Sequence, residues 1–227
     1  FWKIFMHEII KNLESVKHKI NEKIKISQEN TKQPTIIAIS KTFSLDQINP
    51  LIEAGHIHFG ENKVQEAEKK WDKTLINKHS LKLHMVGGLQ SNKAKKAVQI
   101  FDYIHSLDNL RLANKLHLAE EELNKHLKYF IQVNLGNEAQ KSGVPKNDLE
   151  KFIQTLRKDF KLNVIGLMCL PPQNEKPEIY FKELKEFAMK HNLNHLSMGM
   201  SHDYLTALDF GSSFLRLGTC IFGERES

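Results

Sequence analysis

A lysine that follows a buried strand is the first candidate for chemistry in this sequence. Residues 35–39 form an unbroken apolar and β-branched run, and Ser40-Lys41-Thr42 comes directly after it. Such a run is typical of a parallel strand that is covered on both faces. Lys41 is therefore either a surface residue at the solvent end of the strand or a nucleophilic amine in a site, as a Schiff-base lysine must be. This stretch alone leaves both interpretations open.

Two segments near the carboxyl end have the composition of phosphate-binding loops. Gly199-Met200-Ser201 and Gly218-Thr219 each combine a hydroxyl with small residues that let backbone amides approach a ligand. Either segment alone is better explained as a plain turn with a helix cap. Because the two segments occur together, one predicted strand apart, a phosphate site is as good an explanation as two plain turns.

Arg216 is the third candidate, because it interrupts the apolar segment at residues 214–217. A guanidinium stays charged, so inside a core it needs a carboxylate, a carbonyl or a ligand atom as its acceptor. A strand-end lysine, a phosphate loop and this arginine would together suit a ring that carries an aldehyde, a phosphate arm and an acceptor nitrogen. Pyridoxal 5'-phosphate (PLP) is such a molecule.

These residues need a scaffold, and the apolar segments predict eight strands that alternate with helices. The predicted strands end at Ser40, Phe59, Val86, Ser106, Val133, Cys169, Met198 and Leu217. Alternation of this kind demands parallel pairing with right-handed crossovers, and eight repeats at this length favour an α/β fold of the closed (β/α)8 barrel type. An open doubly wound sheet is the alternative. An amphipathic helix at residues 6–30 precedes the first strand, so we predict one domain over residues 1–227, with residues 1–5 as an extension.

A barrel would place every strand end on one rim, where barrel enzymes form their sites and where the last two loops commonly bind phosphate. Glu61 is predicted to open a helix that reaches about residue 76, as an acid favoured by the helix dipole rather than as a general base. His84 is interpreted as a histidine bonded within the rim rather than a proton carrier, since no carboxylate partner is evident. His56 and His58 alternate on a strand, but without a third ligand we predict no metal site.

The amino-acid composition indicates the broad class of protein. The chain has 227 residues, of which 40% are apolar and 26% charged, as in a globular protein with a sizeable core. No apolar run approaches the ~20 residues of a membrane span, and the start lacks a signal-peptide pattern. Cys169 and Cys220 are too few for a disulfide framework, so we expect a reducing cytoplasm. The net charge of +6 comes mainly from scattered lysines, so we expect no specific nucleic-acid partner.

Several motifs resemble those of the pyridoxal phosphate homeostasis proteins (the YggS/PROSC group), relatives of the fold type III barrel of alanine racemase. The matching motifs follow one another along nearly the whole chain: Ala38-Ile39-Ser40-Lys41-Thr42, Phe59-Gly60-Glu61-Asn62 with Gln65-Glu66, His84-Met85-Val86-Gly87 with Leu89-Gln90-Ser91-Asn92-Lys93, Lys141-Ser142-Gly143, Gly166-Leu167-Met168, Leu196-Ser197-Met198-Gly199-Met200-Ser201, and Arg216-Leu217-Gly218-Thr219 with Ile221-Phe222-Gly223. The departures are Gly88, where a proline is common, and Cys169-Leu170, where a smaller pair is usual; neither is expected to touch the cofactor contacts.

The resemblance implies a specific site. Lys41 would form the internal aldimine with PLP, and Arg216 would face the pyridine nitrogen. The phosphate would be held by Ser201, Gly218 and Thr219. Asn62 lies beside the cofactor in proteins of this kind.

Three functions compete for this site. The first is a PLP-binding protein that acts in intracellular PLP homeostasis and transfer, which implies PLP-dependent apoenzymes as partners of a monomer. The second is a PLP-dependent racemase-like enzyme of low activity, and the third is a basic barrel that binds polyanions. Racemisation needs a base on each face of the substrate, and in the alanine racemases the second base comes from an extra domain. We therefore expect no efficient amino-acid turnover.

Overall fold

The computed structural model describes residues 2–27, 32–136 and 142–224, with side chains from residue 8 onward. The strands in these residues are β1 (Thr35–Ile39), β2 (His58–Glu61), β3 (Lys82–Met85), β4 (Tyr103–Leu107), β5 (Lys128–Asn134), β6 (Val144–Pro145), β7 (Asn163–Met168), β8 (His195–Ser197) and β9 (Phe214–Leu217). The α-helices are α1 (Trp2–Ile26), α2 (Leu45–Glu53), α3 (Val64–Lys70), α4 (Lys73–His79), α5 (Ala94–Ile100), α6 (Leu110–Leu123), α7 (Leu149–Asp159), α8 (Pro177–Lys190), α9 (Tyr204–Asp209) and α10 (Thr219–Phe222).

Eight parallel strands close into a barrel. Their order is β4-β3-β2-β1-β9-β8-β7-β5, and β4 also pairs with β5, which completes the ring. The short strand β6 adds a parallel pairing to β5 in addition to the ring. The predicted (β/α)8 barrel is therefore confirmed, and the open-sheet alternative is wrong. All carboxyl ends of the barrel strands lie on one rim, because every pairing in the ring is parallel.

The extra N-terminal helix is confirmed as α1, although it ends at Ile26 and not near residue 30. It packs against α2, α9 and α10. Its buried face consists of Ile9, Leu13, Val16 and Ile20, each of which stabilises the fold by ~1.5–3 kcal/mol. Asn12 donates a hydrogen bond to the carbonyl of Ile221 over 3.1 Å, which ties the helix to the last element of the barrel.

The barrel interior forms a small core of its own, separate from the larger core between the strands and the helices. Its buried apolar members are Ile37, Ile39, Tyr103, Phe130, Met168 and Phe214. Space is limited there: a Cβ at Gly60 would lie 2.6 Å from Ile39 Cδ1. Several polar side chains share this interior, and they are described with the site below.

Two predicted elements differ from the structure. The helix predicted from Glu61 to residue 76 is two helices, α3 and α4, because the chain breaks at Trp71 and Asp72, and the Asp72 side chain accepts the Thr74 amide to cap α4. Glu61 itself belongs to β2. Lys141 of the predicted Lys141-Ser142-Gly143 loop lies outside the described residues. None of the described helices is long and apolar enough to cross a bilayer.

Candidate functional site

Lys41 follows β1 at the rim, where the sequence predicted it. Its side chain is half-buried, and the next residue, Thr42, has a φ of 71°. Non-glycine residues seldom adopt this left-handed conformation, and they keep it only where the surroundings hold it. The chain therefore turns sharply just after the lysine, and contacts to its neighbours must fix that turn.

A buried acid holds the segment that precedes Lys41. Glu61 Oε1 accepts hydrogen bonds from Ser40 Oγ at 2.7 Å, Lys70 Nζ at 3.0 Å and Trp71 Nε1 at 3.1 Å. Lys70 Nζ also donates to the carbonyl oxygen of Ser40 over 2.8 Å. Burial raises the pKa of Glu61, while the adjacent Lys70 ammonium opposes that rise. The network fixes the end of β1 from the neighbouring strand β2 and the helix that follows it.

The same lysine reaches the segment that follows Lys41. Glu66 Oε1 accepts from Lys70 Nζ over 2.9 Å and from the Thr42 backbone amide over 2.5 Å. Lys70 thus bridges two carboxylates, one on each side of the Lys41 turn. The prediction that Glu61 is a helix N-terminal acid is wrong: it is a fully buried strand residue that supports this turn.

Arg216 lies inside the barrel on β9, next to Ile37 of β1. It is 5% exposed, and it donates to Ser197 Oγ over 2.6 Å and to the Cys169 carbonyl over 2.9 Å. Burial lowers the pKa of the guanidinium, which nevertheless stays charged at neutral pH. Of the acceptors that the sequence analysis considered, the structure provides a carbonyl, together with a hydroxyl. The expectation that Cys169 stands apart from the cofactor contacts is wrong in one respect, because its backbone carbonyl contacts Arg216.

The two predicted phosphate loops meet on the rim. Ser201 Oγ accepts hydrogen bonds from the backbone amides of Gly218 and Cys220, each over 3.2 Å. Gly199, with a φ of 94°, has no space for a side chain, because a Cβ there would lie 2.8 Å from Ala207 Cβ. Thr219 is exposed and begins α10. The two loops thus bring one hydroxyl and two backbone amides together, which are groups of the kind that bind phosphate at a helix N-terminus.

Asn62 directly follows β2 and is half-buried. Its backbone packs against the backbone of Gly87, after β3, so closely that a Cβ at Gly87 would lie 2.4 Å from the Asn62 carbonyl oxygen. Gly87 therefore allows the close approach that positions Asn62, the residue predicted to lie beside the cofactor.

His84 is hydrogen-bonded, as expected, but it lies inside the barrel between two other histidines and not on the rim. His84 is fully buried inside the barrel, and its two ring nitrogens lie 2.9 Å from His58 Nδ1 and 3.0 Å from His105 Nε2. His105 was not singled out from the sequence. Within the described ranges, no three His, Cys, Asp or Glu side chains are arranged to hold a metal ion.

Sequence reasoning missed Lys70 and named Ser197 only as part of a motif, although both bind residues of the candidate site. The alternation of side chains along a strand was an available signal for the others. His58, His84, His105 and Ser197 each lie on a barrel strand, at a position whose side chain faces the interior. No comparable signal marked Lys70, which lies in a helix rich in lysine.

Comparison with known proteins identifies the family. The family model for the alanine racemase N-terminal domain matches residues 12–226. The chain is 39% identical to the pyridoxal phosphate homeostasis protein of Synechocystis over 84% of this chain and 91% of that one. It is 31% identical to the protein of the same name from Escherichia coli K12 over 97% and 98%.

Solved structures agree. PipY of Synechococcus elongatus PCC7942 superposes with a TM-score of 0.81 at 32% identity without PLP, and with a TM-score of 0.78 at 31% identity with PLP bound; each comparison covers 95% of this chain and 100% of PipY. The alanine racemase of Corynebacterium glutamicum shares the fold, with a TM-score of 0.70 at 16% identity, and 62% of its length is covered. With its closed barrel, its strand-end lysine and these relatives, the chain belongs to the pyridoxal phosphate homeostasis protein family.

Proposed function

We propose that this protein binds PLP at the rim of the barrel and acts in PLP homeostasis. The observation that carries the proposal lies on β9 and just after it. Arg216 is a buried cationic donor, and two residues later the Gly218 amide joins that of Cys220 in donating to the Ser201 hydroxyl oxygen. A PLP molecule has one ring acceptor and one phosphate, which match these two kinds of donor. The PLP-bound PipY structure, of a relative with 31% identity, supports the same assignment.

The residues present fit the group. Lys41 would hold PLP covalently, and the Ser201 hydroxyl with the Gly218 and Thr219 backbone would bind its phosphate. Arg216 would donate to the ring nitrogen, and Asn62 would lie beside the ring. A Cβ at Gly218 would lie 3.6 Å from Ile39 Cβ, which is an ordinary van der Waals distance.

When bound, PLP supplies an aldehyde that condenses with a lysine amine, releasing one water molecule. The protein then determines how reactive the ring is. An arginine donor at the ring nitrogen disfavours protonation of that nitrogen, which weakens the ring as an electron sink. A site built this way favours holding and handing over the cofactor above turning over amino acids.

The visible absorption spectrum of purified protein, with and without added PLP, tests this proposal. Wild type should show the absorbance of a lysine-bound PLP, and Lys41→Ala should lose it. Lys63→Ala, which removes an exposed lysine after β2, is the matched control and should keep it. A spectrum that is the same in wild type and Lys41→Ala would overturn the assignment.

We also propose that the protein lacks efficient racemase or decarboxylase activity. Support comes from the relatives covered over 91% and 98% of their length, which are named homeostasis proteins and not enzymes. PLP-loaded protein should be incubated with L-amino acids in deuterated water, and Cα exchange and chirality followed. Slow exchange is compatible with the proposal, because a nearby lysine can leak protons. Turnover of ~1 per second or faster would restore the racemase-like alternative.

We propose a cytoplasmic monomer that delivers PLP to apoenzymes. The two free cysteines, of which Cys169 is buried with its thiol pKa raised by burial to about 12, support a reducing compartment.

Transfer is tested by mixing loaded protein with a PLP-dependent apoenzyme and a competing PLP scavenger. Recovery of enzyme activity despite the scavenger supports direct transfer, and no recovery contradicts it. Light scattering should give about the 26.3 kDa of one chain.

A further inference from the structure

A line of hydrogen bonds crosses the barrel interior and ends at Arg216. His58 Nδ1 lies 2.9 Å from His84 Nε2, and His84 Nδ1 lies 3.0 Å from His105 Nε2. His105 Nδ1 lies 2.8 Å from Ser197 Oγ, which also accepts from Arg216 Nη1 over 2.6 Å. We call the four residues His58, His84, His105 and Ser197 the histidine column. It joins strands β2, β3, β4 and β8 to the arginine of β9.

Aromatic neighbours hold the rings of the histidine column in place. His84 stacks on Tyr103 with ring centroids 4.2 Å apart and an interplanar angle of 13°. His105 stacks on Phe130 at 4.4 Å and 17°. His84, His105 and Ser197 are fully buried. The column therefore has fixed ring planes, and its inner members must satisfy their hydrogen bonds with one another.

The two inner histidines are neutral. Burial lowers the pKa of His84 well below its usual value, with the neighbouring histidines acting in the same direction. Burial also lowers the pKa of His105, and the Arg216 charge lowers it further. Among the side chains that the structure describes, no carboxylate hydrogen-bonds to either ring. Each imidazole therefore carries one N–H, and each must use one nitrogen as donor and the other as acceptor.

Arg216 sets the direction of the column, because a guanidinium can only donate. Ser197 Oγ accepts from it, so the serine hydrogen is available to His105 Nδ1, which must then be the unprotonated nitrogen. His105 Nε2–H donates to His84 Nδ1, and His84 Nε2–H donates to His58 Nδ1. In the opposite direction, the Ser197 oxygen would accept twice and its buried hydrogen would have no acceptor in the column. A buried donor without a partner is disfavoured, so the first direction is preferred.

We propose that the histidine column is a directed hydrogen-bond relay, with His58, His84 and His105 all in the Nε2–H tautomer, that positions Arg216 toward the PLP ring nitrogen. His84, His105 and Ser197 are then positioning residues of the cofactor site. The proposal takes its ligand from the proposed function, but the direction of the relay is a property of the protein without PLP.

The other end of the column opens at the amino end of the barrel. His58 lines a cavity of about 420 Å³ together with Lys17 and His56. Protonated His58 would carry N–H at both nitrogens, so its Nδ1 would face the Nε2–H of His84, donor against donor. The relay is therefore intact only while His58 is neutral. The charged or titratable groups that act on His58, or on which it acts, are His56, Lys82, His84, Asp102 and Lys128.

Nitrogen-15 NMR of ligand-free protein tests the direction. The chain has 12 histidines, which makes assignment by substitution practical. At pH 7 His84 and His105 should each show a protonated Nε2 and an unprotonated Nδ1. Protonated Nδ1 on either ring, or imidazolium on both, would overturn the relay. Because this measurement reads the wild-type protein without PLP, its outcome is independent of the proposed function.

Substitutions test the effect on Arg216. In ligand-free wild type the guanidinium should rotate slowly and give separate Nη resonances. In Ser197→Ala these should merge, and His105 should lose its fixed tautomer. Tyr103→Phe is the control, because it keeps the ring that stacks on His84 and removes a hydroxyl outside the column. Separate Nη resonances in Ser197→Ala would overturn the positioning role.

PLP binding gives the last readout. His105→Phe keeps an aromatic ring beside Phe130 but breaks the relay, so it should weaken PLP about tenfold, the factor for one hydrogen bond. The spectrum of bound PLP should also change in acid in wild type, as His58 becomes protonated, and lose that change in His105→Phe. Unchanged affinity and an unchanged pH profile in His105→Phe would overturn the inference. If wild type binds no PLP while the predicted tautomers are present, the proposed function fails and the relay direction stands.

Discussion

Two polar regions of this barrel differ in how far apart their partners lie in the sequence. The rim loops at Ser201 and Gly218 are short segments, and their glycines and hydroxyls are visible in the local sequence. The supports behind the site are distant: Ser40 and Lys70 are 30 positions apart, and His105 and Ser197 are 92 apart. Groups that would contact the cofactor therefore occupy local motifs, whereas the groups that hold them in place come together only through the tertiary structure.

The largest expected effect comes from the Lys70 support. Lys70→Met leaves Glu61 as a buried acid without its cation, and removing one partner of a buried ion pair costs ~3–5 kcal/mol. Urea unfolding should therefore show a loss of that size in the free energy of unfolding. PLP binding should also weaken, because the Lys41 turn loses its bridge.

Two variants sharpen this prediction. Lys69→Met removes an exposed charge from the same helix and should change the free energy of unfolding by less than ~0.5 kcal/mol. Adding Glu61→Gln to Lys70→Met should recover part of the loss, since the buried charge is gone. Equal, small losses in Lys70→Met and Lys69→Met would mean that the network does not support the turn.

Three histidines in desolvated positions, His56, His84 and His105, predict a stability that falls in acid. Burial lowers the pKa of His56 to about 4, and it lowers those of His84 and His105 well below their usual value. The unfolded chain takes up these protons below about pH 6.5 and the folded chain does not. The free energy of unfolding should thus fall as the pH drops, by up to ~1.4 kcal/mol per pH unit for each histidine.

Urea unfolding at pH 7, 6 and 5 measures this slope. His84→Gln should make the slope shallower, whereas His18→Gln, on the exposed face of α1, should leave it as in wild type. A free energy of unfolding that stays constant from pH 7 to pH 5 would contradict the neutral, buried state of the column.

A smaller effect is expected at the rim, where two adjacent glycines provide a matched pair. Gly87→Ala would place a Cβ 2.4 Å from the Asn62 carbonyl oxygen, whereas a Cβ at Gly88 would have nothing within 4 Å. Gly87→Ala should destabilise the protein by ~1–3 kcal/mol, as overpacking does, and should displace Asn62. Calorimetry and PLP titration of both variants check this. Similar behaviour of the two would show that the Asn62 backbone yields easily.

The smallest change in stability, with a clear optical signal, is expected for Arg216→Gln. Glutamine can still bond to Ser197 but lacks the charge, so the ring nitrogen of bound PLP should protonate more readily and the absorption spectrum should shift. Arg111→Gln, on the exposed start of α6, should leave the spectrum unchanged. An unaltered spectrum, affinity and fold in Arg216→Gln would remove Arg216 from the site.

Local sequence patterns predicted the barrel, the extra helix and the positions of Lys41, Arg216 and the two rim loops. Apolar periodicity sufficed because each strand and helix has a repeating buried face. Glu61 was misassigned because an acid before a helix looks the same whether it starts the helix or ends the strand. His105 was missed because only its neighbours from β3 and β8 give its ring a partner.

The central claim, that PLP is held at Lys41, is tested most directly by borohydride reduction of PLP-loaded wild type followed by peptide mapping. Reduction makes the lysine linkage permanent, and mass spectrometry then locates it. We predict the pyridoxyl label on the peptide that contains Lys41. An equally strong label on Lys63 or Lys93, in place of Lys41, would contradict the account.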